Sequence, residues 1–335
     1  MCIGPLRAPV VRAENERDYR VDASDEELDA GVEVRRFEVA LDGHGQRLDK
    51  QLVAHAGEFS RNHLQGLIER GCVQVDGVLA TTASRRLRAG QAVVVELQPT
   101  DESRAFTPEP MALAIRHEDE HLLVLAKPAG LVVHPAPGNW RGTLLNGLLA
   151  HHRGALHLPR AGIVHRLDKN TSGLMLVAKS LPAMTALVRA IAARDVHREY
   201  LALVHGIVGA LPFSIDAPMG RDPVSRVRMA VVAGGKPAQT DVARVACREG
   251  VSAVRCTLHT GRTHQIRVHL ASRGHPLVAD TMYGGMPALG MERQALHAVC
   301  LRLQHPATGI PMAFEEPLPV DMAGAWAGVT AQPPR

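Results

Sequence analysis

Gly162-Ile-Val-His-Arg-Leu-Asp-Lys-Asn-Thr-Ser-Gly173, continuing into Leu174-Met-Leu-Val-Ala-Lys179, sets two apolar stretches around a segment rich in Asp, Asn, Ser and Gly. That pattern reads as a strand, a tight turn and a second strand. An acid in such a turn ordinarily hydrogen-bonds its own backbone, so Asp168 taken alone is a turn-former. The kinase catalytic loop H-R-D-x-x-x-x-N does not fit, because an extra residue separates Arg166 from Asp168 and no phosphate loop occurs elsewhere. On either side, between about residues 112 and 320, strand candidates are interspersed with two helical stretches, Thr143–His151 and Leu181–Arg194. The regular glycine-rich βαβ units of a doubly wound fold are missing. The fold class expected is α+β, with a mostly antiparallel mixed central sheet. Nothing recurs at a fixed period.

The chain has 335 residues, more than one core usually serves, so two domains are expected. Residues 1–34 carry net charge −5 and little periodicity, which reads as an acidic, disordered arm; the remainder carries +9. A body with that excess is compatible with a polyanionic partner. Arg outnumbers Lys by 33 to five, mainly a matter of base composition, although guanidinium forks suit phosphate. With two Trp, three Tyr and five Phe, base stacking on an open aromatic sheet is an unpromising mode of RNA recognition. No apolar run is long enough to cross a bilayer, and the N-terminal stretch has no signal-like apolar core. The expected setting is the cytoplasm. Five cysteines without a C-x-x-C pair indicate neither a disulfide framework nor a zinc ribbon.

Between Arg47 and Glu96, Leu48, Leu52 and Val53 repeat at helical spacing, and Ser60 is placed to cap a second helix that shows Leu64, Leu67 and Ile68 on one face and stops at Gly71. Cys72-Val-Gln-Val-Asp-Gly77 reads as a strand entering an Asp-Gly turn, and Ala92-Val-Val-Val-Glu96 as a closing strand. The words RLDKQL, SRNHLQGLIERGCVQVDG and LRAGQAVVVEL resemble the S4 RNA-binding domain, expected here over 35–98. The resemblance implies that the helices present basic residues to RNA phosphates, with Arg47, Arg61, Arg70, Arg85, Arg86 and Arg88 as candidates. A segment with three prolines, 99–111, reads as a linker to a second domain over 112–325.

His117-Glu-Asp-Glu-His121 fits the zinc-protease pattern H-E-x-x-H, which requires both histidines on one helix face. The apolar Leu122-Leu-Val-Leu-Ala126 that follows at once makes this a loop entering a strand, and no metal site is expected.

H-R-L-D-x-x-T-S-G-L, as it stands at 165–174, resembles the signature of the RluA family of pseudouridine synthases. Further similar segments follow the family order. Ala126-Lys-Pro-Ala-Gly-Leu-Val-Val-His134-Pro135 precedes the signature; Arg198-Glu-Tyr200 and Leu258-His-Thr-Gly261-Arg-Thr-His-Gln-Ile-Arg267-Val-His269 come after it. Gly274-His-Pro-Leu-Val-Ala-Asp280, Tyr283-Gly284 and Leu296-His297 complete the series. The resemblance covers nearly all of the chain after residue 40. It implies an enzyme that detaches uracil from a ribose in RNA, rotates it and rejoins it through C5, with no metal or organic cofactor. Asp168 matches the catalytic aspartate, acting either on the anomeric carbon or on the C2′ proton. Arg267 matches the arginine that pairs with it; a helix from about residue 261 would put His264 and Arg267 on one face. Tyr200 matches the tyrosine that stacks on the uracil. Arg166, beside His165, matches the residue that fills the space of a flipped nucleotide. Ile266 is a wall of the base pocket or helix core. Arg198 stands where lysine is common. Ala279 stands where glycine is common, which matters only if its φ is positive; Asp280 is expected to be structural.

The fused S4 module and the stretch His134-Pro-Ala-Pro-Gly-Asn139 with Gly142-Thr-Leu-Leu-Asn146 are most similar to the subgroup that acts on large-subunit ribosomal RNA in the loop of helix 69. The expected partner is therefore RNA, within a pre-ribosomal large subunit or free, and the expected state is a monomer. Alternatives are another ribosomal or transfer RNA site, or a non-catalytic RNA-binding assembly factor.

Overall fold

The computed structural model describes residues 33–98, 105–225 and 227–331. The chain divides into two compact units, residues 1–99 and 100–335. Most of the acidic arm, and linker residues 99–104, lie outside the described residues; Glu33 and Val34 begin the first strand.

The first unit runs β1 (Glu33–Glu38), α1 (Leu48–His55), α2 (Arg61–Glu69), β2 (Val73–Val75), β3 (Val78–Leu79) and β4 (Ala92–Leu97), with an antiparallel sheet in the order β1-β4-β2-β3. Ser60 caps α2 by accepting from the His63 N–H at 3.3 Å. Asp76 and Gly77 both have positive φ, 54° and 76°, as a two-residue hairpin turn between β2 and β3 requires. Leu48, Leu52, Leu64, Leu67 and Ile68 from the helices close over Val73, Val75, Val93 and Val95 of the sheet. After β1, Leu41 sits exposed in a short 3-10 turn.

The second unit contains β5 (Ile115–Glu118), β6 (Leu122–Lys127), α3 (Leu144–His151), β7 (Ser172–Ala178), α4 (Leu181–Ala193), β8 (His197–His205), β9 (Phe213–Asp216), β10 (Met219–Arg221), β11 (Met229–Val231), β12 (Gln239–Arg248), β13 (Val251–Leu258), α5 (Gln265–Ser272), β14 (Leu296–Gln304), β15 (Pro311–Glu315) and α6 (Val320–Thr330). Its main sheet has the order β5-β6-β7-β14-β8-β13-β12-β9, with β15 also on β14. Among the described residues only β7 and β14 pair in parallel. This is the mostly antiparallel mixed sheet of an α+β fold. The central strands are apolar along their length because both faces are covered. Leu123 and Leu125 of β6 meet α3 in one cluster, whereas Leu122 and Val124 meet α4 in another. On β8, Tyr200, Ala202 and Val204 face the first cluster, and Leu201 and Leu203 face a third that contains Met322 and Val329 of α6.

Several expectations are corrected. The strand read before the Asp168 turn is only a single bridge, Ile163 to Val177, because Arg160, Ala161 and Gly162 form a left-handed run that bends the chain. The H-E-x-x-H segment is a hairpin: His117 and Glu118 pair with β6, and Asp119 caps the connection by accepting from the His121 and Leu122 N–H groups at 2.7 and 2.9 Å. No group of three or more metal-ligating side chains assembles among the described residues. Thr143, read as the first helical residue, is the N-cap of α3 in a capping box with Asn146. Asn146 also donates to the carbonyls of Ala105 and Thr107, which fastens the end of the linker to α3. Residue 325 falls inside α6, which continues to Thr330.

Gly173, with φ +112°, lies where β7 meets β14, and a Cβ there would come within 2.2 Å of the Ala298 carbonyl oxygen. Gly173→Ala must push the two parallel strands apart. A loss of ~3 kcal/mol, or a fall in Tm of roughly 6–12 °C, is expected in a thermal melt; an unchanged Tm would show that this approach is not constrained.

Candidate active site

The six residues placed at the reaction centre by the sequence, Asp168, Tyr200, Arg267, Arg166, Ile266 and His165, all line one cavity of about 620 Å³. Asp168 opens a turn closed by the Thr171 N–H on its carbonyl at 3.1 Å. The turn is held from below. Lys127, at the end of β6 and 1% exposed, gives its three ammonium protons to the carbonyls of Pro128, Leu131 and Lys169 at 2.7, 3.0 and 3.0 Å. Burial pushes the Lys127 pKa down to about 7, against the pull of Asp168. Arg293 donates to the Asn170 carbonyl at 2.9 Å from the other side.

Arg267 occupies α5 with its guanidinium between two carboxylates. Nε and Nη2 donate to the two oxygens of Asp280 at 2.7 and 2.9 Å, and Nη1 donates to Asp168 Oδ2 at 2.9 Å. Burial opposes the charge on Arg267, but the bonds to Asp280 and the attraction of Asp168 outweigh it and raise its pKa. The side chains of Arg267 and Asp280 are 6% and 1% exposed, against 17% for Asp168. Asp280 thus orients the guanidinium, and Asp168 is the carboxylate that faces the cavity. Its Oδ1 accepts no hydrogen bond among the described residues.

His264 is not on the helix expected from residue 261. α5 begins at Gln265, and His264 is its N-cap in the left-handed region, φ 58°. That conformation still turns the ring inward, with Nε2 3.8 Å from Asp168 Oδ1. The Tyr283 hydroxyl accepts from the Met229 N–H at 3.0 Å and shares a hydrogen bond with His264 Nδ1 at 2.7 Å, which holds the imidazole beside Asp168. The Tyr283 ring also lies 4.9 Å from the Arg267 guanidinium, within cation–π range.

Tyr200 lies on β8, 5% exposed, and burial pushes its hydroxyl pKa up. Ile266 belongs to the core and to the cavity wall at once. Arg166 is exposed at the cavity. His165, expected beside RNA, has its acceptor nitrogen committed to the fold: Nε2 accepts the Leu176 N–H at 2.9 Å and ties the Asp168 loop to β7. Ala279 has φ +59°, so its methyl sits in the left-handed region that glycine would occupy freely. Lys127, Asp280, Arg293 and Tyr283 had no assigned active-site role from residue spacing alone, since each acts across a long sequence separation.

In the first unit, Asp49 of α1 is fully buried and gathers two of the expected basic residues. Arg47 donates to both its oxygens at 3.0 and 2.9 Å, and Arg61 and Gln65 donate to Oδ2 at 2.9 and 2.7 Å. The Arg47 bonds, foremost, hold the Asp49 carboxyl well below the usual carboxylate range. Arg86 is bridged to Arg47 through the backbone and donates to the Gly45 carbonyl at 2.7 Å. Arg85 is half-buried, Arg88 is exposed, and Arg70 stands apart at the far end of α2.

Burial, then the charge of Arg198, pushes the His165 pKa down to about 3 from an ordinary 6.5. The unfolded chain therefore binds more protons between those values, and this contribution to stability is lost as the pH falls from about 6.5 towards 3. His165→Gln keeps an acceptor for the Leu176 N–H and does not titrate, so its drop in Tm between pH 7 and pH 4.5 is expected to be smaller than that of the wild type. Equal drops would contradict the buried, neutral imidazole.

Residues 121–272 match the family model for RNA pseudouridylate synthase, and residues 46–93 match the S4 domain. The chain is 46% identical over 329 residues to ribosomal large subunit pseudouridine synthase D of Neisseria meningitidis serogroup B, covering 92% of this chain and 85% of that protein. It is 45% identical over 300 residues to the protein of the same name from Pseudomonas aeruginosa, covering 86% and 93%. Among solved structures, human RNA pseudouridylate synthase domain containing 1 aligns with a TM-score of 0.51 and 27% identity over 69% of this chain and 91% of that one. With this fold, an S4 module and these relatives, the chain belongs to the RNA pseudouridylate synthase family and is an RNA pseudouridine synthase.

Proposed function

We propose that the protein converts uridine to pseudouridine in large-subunit ribosomal RNA, in the loop of helix 69, and that Asp168 is the catalytic carboxylate. The observation that carries this is the placement of Asp168 in the cavity beside Tyr200, with one oxygen paired to a buried Arg267 and the other open. Arg267 sets a buried cation directly against the carboxylate that faces the base. The uridine must leave its stack to enter the cavity, and Arg166 at the surface takes the vacated space. The C1′–N1 bond then breaks and uracil turns against Tyr200. A C5–C1′ bond forms, C5 loses its proton and N1 gains one. Asp168 acts either on C1′ or on the C2′ proton. Substrate and product contain the same atoms, so the reaction needs no oxidant, reductant or group donor.

The 46%-identical relative named for the ribosomal large subunit supports the RNA class, and the S4 module supports docking away from the reaction centre. In this reading Arg47, Arg61 and Arg86 meet phosphates, with Asp49 fixing the first two so that less side-chain freedom is lost on binding. The protein works as a single chain in the cytoplasm, where ribosomal RNA is its partner.

Carbodiimide mapping of RNA from a strain lacking the gene should show pseudouridine missing from the helix 69 loop, restored by the wild-type gene and not by Asp168→Asn. Loss at a transfer RNA position would transfer the activity to that substrate, and restoration by Asp168→Asn would remove Asp168 from the chemistry. Arg47→Ala/Arg61→Ala/Arg86→Ala should weaken RNA binding and make the plot of log affinity against log salt shallower by about 2, at roughly 0.7 per phosphate contact. An unchanged slope would take these residues off the RNA.

A further inference from the structure

Arg198 lies two residues before Tyr200 on β8, so both side chains leave the same face of the strand, and both line the cavity. Unlike Arg166, it is buried, 4% exposed. Its Nε and Nη2 are shut off from solvent and have no hydrogen-bond partner among the described residues. These two groups share one edge of the guanidinium and form the fork that receives paired acceptors. The opposite edge rests near Gly261, where a Cβ would come within 3.1 Å of Nη1. A buried guanidinium with idle donors is costly. Among the described residues, His134 Nε2 is the other buried side-chain nitrogen without a partner, and His134 lines the same cavity. The cavity is therefore built around a polar ligand that is not protein.

We propose that the Arg198 fork receives a carbonyl edge of the extruded uracil and stabilises the negative charge the base acquires when its bond to the sugar breaks. This rests on the pseudouridine reading above. When C1′–N1 breaks, both bonding electrons stay with N1 and spread onto O2 and O4, whichever role Asp168 plays. Two N–H donors on such an oxygen act where charge develops, in a site that excludes water. The charge disappears once C5 bonds to C1′, the C5 proton leaves and N1 takes up a proton. A backbone phosphate is the weaker candidate, because it runs along the accessible mouth where Arg166 is exposed, whereas a flipped base enters the depth of a pocket. Asp168 is already paired with Arg267.

The test uses full-length protein and a helix 69 stem–loop, or the site found by mapping, carrying [5-³H]uridine, with tritium release followed in single turnover. An inactive wild type would overturn the underlying reading itself; losses confined to variants concern Arg198. Arg198→Met is expected to slow release by ~10²–10³-fold, with RNA affinity and salt slope unchanged. Arg198→Lys, which restores charge without the fork, should recover part of the rate. Gly261→Ala, whose methyl presses on Nη1 at the opposite edge and so displaces the fork, should slow release while Arg198 is intact. With 5-fluorouridine at the target, fluorine itself stabilises the departing anion. The penalty of Arg198→Met on consumption of that nucleoside, read by digestion and mass spectrometry, should then shrink by about tenfold. A wild-type rate in Arg198→Met, an equal penalty with both nucleosides, or a loss of affinity with a shallower salt slope would each overturn the proposal. The last would make Arg198 a phosphate contact. If Arg198→Met does not fold, Arg198→Lys and Gly261→Ala carry the same comparison.

Discussion

One guanidinium shared unequally between two carboxylates fixes the geometry of the candidate site. Asp280 takes two of the Arg267 hydrogen bonds and Asp168 takes one. The division follows burial: the Arg267–Asp280 pair is almost sealed, and Asp168 remains partly open to the cavity. Taking one partner from a sealed pair costs about 3–5 kcal/mol, because a charge is left uncompensated. The doubly bonded side of the guanidinium is thus the rigid one. With that side fixed, an Nη1 N–H points at Asp168, and Nη2 also lies against Met282 Sδ at 3.7 Å. The Tyr283 ring beside it closes the space in which the guanidinium could swing.

The rest of the second unit serves to bring these groups together. Asp168 precedes β7, Tyr200 and Arg198 lie on β8, Arg267 is on α5, and β14 runs between β7 and β8. Burial of both faces of the sheet makes these strands stiff, and the Asp168 turn inherits that stiffness through Lys127, Arg293 and the His165 bond to β7. The left-handed run at Arg160 to Gly162 is part of the same device. It turns the chain away from β7, so that residues 163–168 and Thr171 line a cavity instead of adding a strand.

Much of this architecture could be read in the sequence. The apolar run at 122–126, the Ser60 cap and the Asp76-Gly77 turn are local signals, and the elements they predict are present. Asp168, Tyr200 and Arg267 stand out only through their ordered motifs; as single residues they look like a turn acid, a core tyrosine and a helical cation. The pairing of Arg267 with Asp168, 99 residues apart, was legible only through the resemblance, and the pairing of Asp280 with Arg267, 13 residues apart, was not read at all. The extent of the strand before Asp168 was misread because three successive left-handed residues, two of them not glycine, carry no periodic signature. The start of α5 was misread for a similar reason: His264 adopts a conformation that propensity disfavours.

The S4 module repeats the same principle at lower stakes. Asp49, buried in α1, holds Arg47 and Arg61 in fixed positions at the surface of the unit, much as Asp280 holds Arg267. In both places a hidden acid determines where an arginine can reach. The most direct measurement is a double-mutant cycle on single-turnover pseudouridine formation with Arg267→Gln, Asp280→Asn and the two combined. If Asp280 acts by aiming Arg267 at Asp168, the double variant is no slower than Arg267→Gln alone. If instead the two rate losses multiply, the carboxylates work independently and the shared guanidinium does not organise the site.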